Sequence, residues 1–286
     1  MKIAIYYENR LGRNDGPPLY WCKAMKDLGH EVTHFCSAHE PNKEWGKFDL
    51  HVWVDWGEDA LTEMLTYKPI SMKTLHPSMY VTSDTHLGFD YRFEKAKEFD
   101  YVFCNQIRAK EEFDVKSNGN KMATYFLPHA VDTKAYPASP VCIKKYDIGF
   151  VGFVTFEKRA KMLDELFRAF PNFWYGQRLF EDAAEIYRKS KIVFNTAAVD
   201  DINMRVFEVL ATGAFLLTEY VPTLNKLFKD GEHLVTYKTM DEAIEKAQFY
   251  LDHPDKREMI AKQGHDEVMR KHTYQHRVDE ALKVIF

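Results

Sequence analysis

Asp200 and Glu208 stand eight positions apart in a stretch that also carries Asn203, Met204 and Arg205. A carboxylate can accept hydrogen bonds from two neighbouring hydroxyls, and the planar fork of an arginine suits a phosphate. One apolar run, Lys191-Ile192-Val193-Phe194-Asn195, precedes the stretch, and a second, Phe215-Leu216-Leu217-Thr218, follows it. Between them Val206, Phe207, Leu210 and Ala211 recur at helical spacing, so a short helix is predicted from near Asn203 to Gly213. A strand, a polar loop and a helix start leave free backbone N–H groups facing an anion. Arg205 and Glu208 also lie one helical turn apart, where a surface pair contributes only about 0.2–0.5 kcal/mol.

Further chemistry-bearing residues close other predicted strands. Gly152 follows the run Tyr146–Val151, and Lys158 and Arg159 open the helix after it. Asp84 and His86 end the run Met79–Thr82; a histidine there can assist a hydroxyl, and the aspartate can orient it or act as base. Gln177 follows the run Asn172–Tyr175, and His129 sits in Leu127-Pro128-His129-Ala130-Val131-Asp132. Gly12 and Gly16, beside Pro17 and Pro18, read as turn chemistry in the loop after the first strand. The chain has no Cys-x-x-Cys and no pair of Asp at Asp-x-Asp spacing, and its one His-Glu-x-x-His, His30–His34, runs from a turn into the predicted strand Val32–Cys36 rather than along the helix such a site needs, so no metal site is signalled.

The elements that must carry these residues alternate. Lys2–Tyr7, Val32–Cys36, Phe48–Val54, Met79–Thr82, Tyr101–Cys104 and Ala123–Leu127 read as strands. Helices are predicted over Leu19–Leu28, Glu58–Thr66, Phe89–Glu98 and Ile107–Phe113 between them. A stretch stiffened by Pro137 and Pro140 follows, and then a second alternation begins at Tyr146. The reading is α/β with two Rossmann-like domains: 1–136, then 137–270, then a final helix over 271–286. Tyr274, Val278, Ala281, Leu282 and Ile285 give that helix one apolar stripe.

Composition narrows the class. A chain of 286 residues holds two domains of ordinary size, and 45% apolar with 29% charged residues is globular. The net charge of −4 is not divided between basic and acidic halves, so no basic tail points to nucleic acid. Four widely spaced cysteines fit reduced thiols. Met1–Ile5 runs straight into a strand and no apolar run approaches the ~20 residues of a membrane span, so the cytoplasm is expected.

The stretch from Asp200 to Ala214, its continuation through Phe215–Tyr237, and His272-Thr273-Tyr274 resemble the donor-binding signature of GT-B glycosyltransferases of the "glycosyl transferases group 1" type. Asp84-Thr85-His86 looks like the box of their CgeB-like (spore maturation) branch. Asp200 matches an acid that is usually Glu, while Ile202-Asn203 stands where Phe-Gly is usual. The resemblance implies two domains facing a cleft, with a C-terminal helix crossing back to the first.

It also implies roles. Glu208 would hold a ribose, Asp200 the donor sugar, and Gln177 the nucleobase; Gly152, Asn203 and Met204 would line the donor. Lys158, Arg159 and Arg205 would grip the diphosphate, with Asp84 and His86 catalytic. Gly12, Gly16 and His129 would face the acceptor. Alternatives stay open: Asp200 as a helix cap, Asp201 in its place, and Arg205 paired with Glu208. The implied reaction moves a sugar from a nucleotide-diphospho-sugar, expected to be a UDP-sugar, to an acceptor hydroxyl, with retention and without metal or other cofactor. A fixed field of Arg, Lys and a helix N-terminus would stabilise the departing diphosphate. The acceptor is open among a small molecule, a polysaccharide and a modified DNA base. A nucleotide-sugar-binding protein without catalysis is the rival. A dinucleotide oxidoreductase is disfavoured by the missing Gly-x-Gly-x-x-Gly after Tyr7 and Val151.

Overall fold

The computed structural model describes residues 1–7, 16–35, 47–55, 71–117, 122–139, 142–154, 157–197 and 201–286. Gly12, Asp200 and the helix predicted over Glu58–Thr66 lie outside them. The chain forms two compact units, Met1–Pro128 with Tyr274–Phe286, and His129–Thr273.

The first unit is built on a six-stranded sheet: β1 (Lys2–Tyr6), β2 (Glu31–Phe35), β3 (Leu50–Val54), β4 (Ser78–Thr82), β5 (Tyr101–Cys104) and β6 (Ala123–Phe126). Every pair is parallel, in the order β2-β1-β3-β4-β5-β6. Strands β3 and β4 are buried at all five positions, as strands covered on both faces must be. Helices α1 (Pro17–Asp27), α2 (Phe89–Ala96) and α3 (Ile107–Lys116) fall between strands. Helix α1 starts at Gly16, whose φ of 113° suits glycine, and Pro17 and Pro18 occupy the first turn, where no N–H is missed.

The second unit carries β7 (Tyr146–Val151), β8 (Phe173–Gly176), β9 (Ser190–Asn195), β10 (Leu216–Glu219) and β11 (Val235–Tyr237), again all parallel, in the order β11-β10-β9-β7-β8. Around it run α4 (Glu157–Ala169), α5 (Phe180–Lys189), α6 (Met204–Ala211), α7 (Leu224–Leu227), α8 (Met240–Asp252) and α9 (Pro254–Lys271). Two apolar cores pack against it, one containing Val151, Val193, Phe207 and Leu210, the other Phe150, Phe194, Leu166 and Ala243. Successive residues of one strand thus feed opposite faces, which is the doubly wound arrangement.

The last helix, α10 (Tyr274–Ile285), belongs to the first unit. Tyr274 packs on Tyr20 and Trp21 of α1, at 5.2 and 6.4 Å between rings, and buried Arg277 donates Nε to the Pro128 carbonyl at 2.8 Å. The units part between Pro128 and His129, eight residues before the division drawn from the prolines. The segment after Pro128 is held by the second unit: the Val131 amide donates to the His272 carbonyl at 3.1 Å, and Tyr136 stacks on Tyr187.

One glycine marks how closely α9 lies on α6 and on the loop before β11. A Cβ on Gly264 would sit 2.1 Å from the His233 carbonyl oxygen and 2.8 Å from Leu210 Cδ2. Alanine is the better helix former by roughly 1 kcal/mol. Overpacking against backbone reverses that sign, so Gly264→Ala is expected to lower stability by about 1–3 kcal/mol in a denaturant melt. A melt as stable as the parent's would contradict the close approach.

Candidate active site

Both sheets reverse strand order beside their first strand, between β1 and β3 and between β7 and β9. Ligands of open α/β sheets bind outside the carboxyl ends of strands at such a reversal. In the second unit those ends are Val151-Gly152 and Asn195-Thr196, with Glu219 one strand further.

Two guanidinium groups meet there. Arg159, on the first turn of α4, is 8% exposed; it donates Nη1 to the Phe153 carbonyl at 2.7 Å and Nη2 to the Thr196 carbonyl at 3.4 Å. Arg205, on the first turn of α6, donates Nη1 to the Asn195 carboxamide oxygen at 2.7 Å. The Phe150 ring lies under both, 5.7 Å from Arg159 and 4.8 Å from Arg205. Burial, reinforced by the neighbouring Arg205 charge, brings the Arg159 pKa down to about 10. Two adjacent cations repel, so an anion placed between them gains from both.

The backbone leaves room for that anion. Gly152 has a φ of 155°, and a Cβ on it would fall 2.3 Å from Arg205 Nη2, so any side chain there displaces the guanidinium. Asn203 is the N-cap of α6 but makes no capping hydrogen bond. Its Nδ2 instead donates to Asn195 Oδ1 at 3.2 Å and the Thr196 carbonyl at 3.5 Å. The α6 N-terminus therefore lacks a side-chain cap, and Met204 and Arg205 supply its first turn.

An acidic side chain lies on each flank. Glu208, one turn along α6, accepts from the hydroxyl of fully buried Tyr187 at 3.4 Å. Burial pushes that phenol far above its ordinary range, the Glu208 charge adding to the effect and Arg205 opposing it. Glu219 accepts from Lys158 Nζ at 2.5 Å, from Thr196 Oγ1 at 2.7 Å and from the Ala197 amide at 3.3 Å. The structure thus brings Gly152, Lys158, Arg159, Asn203, Arg205 and Glu208 to one end of one sheet. Gln177 is exposed just past β8, and His129 is buried at the start of this unit. Asp201 is buried, with Oδ1 accepting the Ile202 amide at 2.7 Å.

In the first unit, Asp84 has a φ of 48° and caps a 3₁₀ turn, Thr85–Leu87, on which His86 is exposed. Beneath it is a buried charge pair that the sequence reading passed over. Arg92 Nε donates to Asp55 Oδ2 at 2.5 Å, the Tyr80 hydroxyl donates to the same oxygen at 2.9 Å, and Ser83 Oγ donates to the Asp55 carbonyl at 3.1 Å. Burial pushes the Asp55 carboxyl up, against the pull of Arg92 and Tyr80. Gly16 starts α1, its carbonyl accepting the Tyr20 amide at 3.1 Å.

Asn195, Thr196, Glu219 and Tyr187 also escaped the sequence reading. The signal was present for two of them, since Asn195 and Glu219 are polar residues closing otherwise apolar strands.

The sequence model of a family described as "Glycosyl transferase-like" matches residues 157–283, which hold Lys158, Arg159, Arg205 and Glu208. None of the curated protein sequences matches. Among solved structures, Alr3699/HepE of Anabaena, in complex with UDP and glucose, aligns with a TM-score of 0.72 at 13% identity, covering 99% of this chain and 100% of that one. An α-glucosyltransferase in complex with UDP and a 13-mer DNA containing a HMU base aligns at 0.69 and 10% identity, covering 100% and 99%. Sucrose-phosphate synthase of Thermosynechococcus elongatus aligns at 0.64 and 11%, covering 99% and 98%. At these identities the likeness is one of fold, and the fold is GT-B. Among the described residues no helix is long and apolar enough to cross a membrane.

Proposed function

We propose that this glycosyltransferase takes its sugar from a UDP-sugar held on the second unit and passes it, with retention and without a metal ion, to an acceptor hydroxyl served by the first. The observation that carries the reading is the pair Arg159 and Arg205, side by side over Phe150 at the mouth of an uncapped helix. When the bond from the anomeric carbon to the diphosphate oxygen breaks, negative charge collects on the leaving group. Fixed donors aimed at that charge lower the barrier, because they need no reorganisation as it forms. Arg159, Arg205, Lys158 and the amides of the first α6 turn supply those donors. That supply makes a bound cation dispensable, and the two UDP-bound neighbours support the choice of nucleotide.

Glu208 is proposed to hold the ribose, accepting from its two hydroxyls with one carboxylate. Tyr187, already donating to Glu208, fixes the orientation of that carboxylate. Asp200 is proposed to meet the donor sugar, and Gln177 the base. On the first unit, Asp84 and His86 are proposed to orient the acceptor hydroxyl; if Asp84 takes its proton as a general base, inversion replaces retention. The CgeB-like branch is proposed on the Asp84-Thr85-His86 box.

The test is Glu208→Ala, titrated with UDP by calorimetry and compared with the parent by circular dichroism. Loss of two charge-assisted hydrogen bonds is expected to weaken UDP by at least about a hundredfold, with the fold intact. Undiminished affinity in a folded variant would remove the ribose assignment.

A further inference from the structure

Opposite the carboxyl strand ends just described, the second unit has a cavity of about 620 Å³ at the amino ends of β7, β9 and β10. Its walls include Lys144, Arg188, Lys191, Arg257 and Lys262, with Glu258 the one acid among the described lining residues. Three of these cations have carboxylate partners: Arg188 with Glu181, Lys191 with Asp147 at 2.7 Å, and Lys262 with Asp266 at 2.6 Å. Lys144 and Arg257 pair with no carboxylate among the described residues.

The cavity also collects helix carboxyl ends, whose carbonyls would ordinarily repel an anion. Side chains lining the cavity bond several of the carbonyls there. Lys144 Nζ donates to the Arg188 and Ser190 oxygens at 2.9 and 3.0 Å, Arg257 Nη1 to the Tyr250 oxygen at 2.7 Å, and His265 Nδ1 to the Ala211 oxygen at 2.9 Å. Donors are left over. Lysine has three N–H groups and arginine five, so Lys144 keeps one and Arg257 keeps several. Arg257 is 6% exposed and lines the cavity. Phe215 and Ala261 add an apolar wall. Surplus donors, surplus positive charge and a volume within the range of small-molecule sites call for one kind of occupant, an acceptor-rich anion on a compact body.

We propose that this cavity binds a small phosphorylated molecule, its phosphate held by Lys144, Arg257 and Lys262, at a site separate from the donor pocket.

Glucose 6-phosphate and inorganic phosphate are titrated calorimetrically into the chain carrying Arg205→Ala, which cripples the other anion site, and into the same chain with Lys144→Gln and Lys262→Gln added. Glucose 6-phosphate is expected to bind the first and to bind the second about tenfold more weakly, since charge-assisted donors are lost. Inorganic phosphate is expected to follow the same order at lower affinity, showing that the phosphate group is what is read. Equal affinities in the two chains, or no binding by the first, would overturn the proposal. A second measurement needs no variant. Half-buried Cys142 lines the cavity, Cys22 and Cys104 are buried, and Cys36 lies outside the described residues, so modification of Cys142 is followed by peptide mass mapping. Glucose 6-phosphate is expected to slow alkylation of Cys142 by an uncharged maleimide, and an unchanged rate would count against occupancy.

Discussion

Arg205→Lys is expected to lower kcat by about 10²–10³, the loss seen when one preorganised donor to a developing oxyanion is removed. Charge is conserved in this substitution, so the size of the effect depends on shape. The guanidinium lies flat on Phe150, gives one nitrogen to Asn195 and turns another toward the space over Gly152. A lysine ammonium is a point charge on a flexible stem and cannot hold those three directions together. Because the donors act mainly on charge that appears as the bond breaks, KM should change much less than kcat. The measurement is sugar transfer at saturating donor, scored by release of nucleoside diphosphate. A lysine variant with parental kcat would mean that Arg205 serves only the helix.

Asp55→Ala is expected to cost about 3–5 kcal/mol of stability, because it removes the carboxylate that offsets the buried Arg92 charge. Asp55 and Arg92 are 2% and 1% exposed, and the carboxylate also receives the Tyr80 hydroxyl. For a unit of this size the melting temperature should fall by roughly 10 °C. Removing both charges with Asp55→Leu and Arg92→Met should restore much of the loss, since an apolar pair of similar volume need not be desolvated. A double-mutant cycle read by thermal melts separates the pair from its surroundings. Single and double variants equally unstable would show that packing, not charge, sets the cost. The Asp84 carboxylate acts on the charges of both residues, so the double variant also asks whether the loop at Asp84 keeps its left-handed turn without the pair.

The parts of the fold that were legible in the sequence are those with a strong period. The run Ile192–Phe194, the spacing of Val206, Phe207, Leu210 and Ala211, and the glycine at 213 place β9 and α6 to within a residue or two. The side-chain pairings were not legible, because they join positions far apart in the chain. Lys158 meets Glu219 across 61 residues and Arg92 meets Asp55 across 37, and no local pattern encodes either. The neighbouring option that the sequence did offer Arg205, a pair with Glu208 one turn on, is not the one it takes. Arg205 reaches back to Asn195 and Phe150, while Glu208 takes the Tyr187 hydroxyl. The unit boundary was drawn from prolines, whereas the segment after Pro128 goes with the second unit, bonded from Val131 to His272, a contact visible only after folding.

The central claim is that side chains and helix amides, with no bound cation, receive the diphosphate at the end of the second sheet. Calorimetric titration of UDP into the chain in excess EDTA tests it most directly, run beside the double variant Arg159→Ala/Arg205→Ala. The account expects the parent to bind with the same affinity in EDTA as in magnesium, and the double variant to bind at least about a hundredfold more weakly, two charge-assisted contacts having gone. Binding by the parent that disappears in EDTA, or a folded double variant that binds UDP as the parent does, would contradict it.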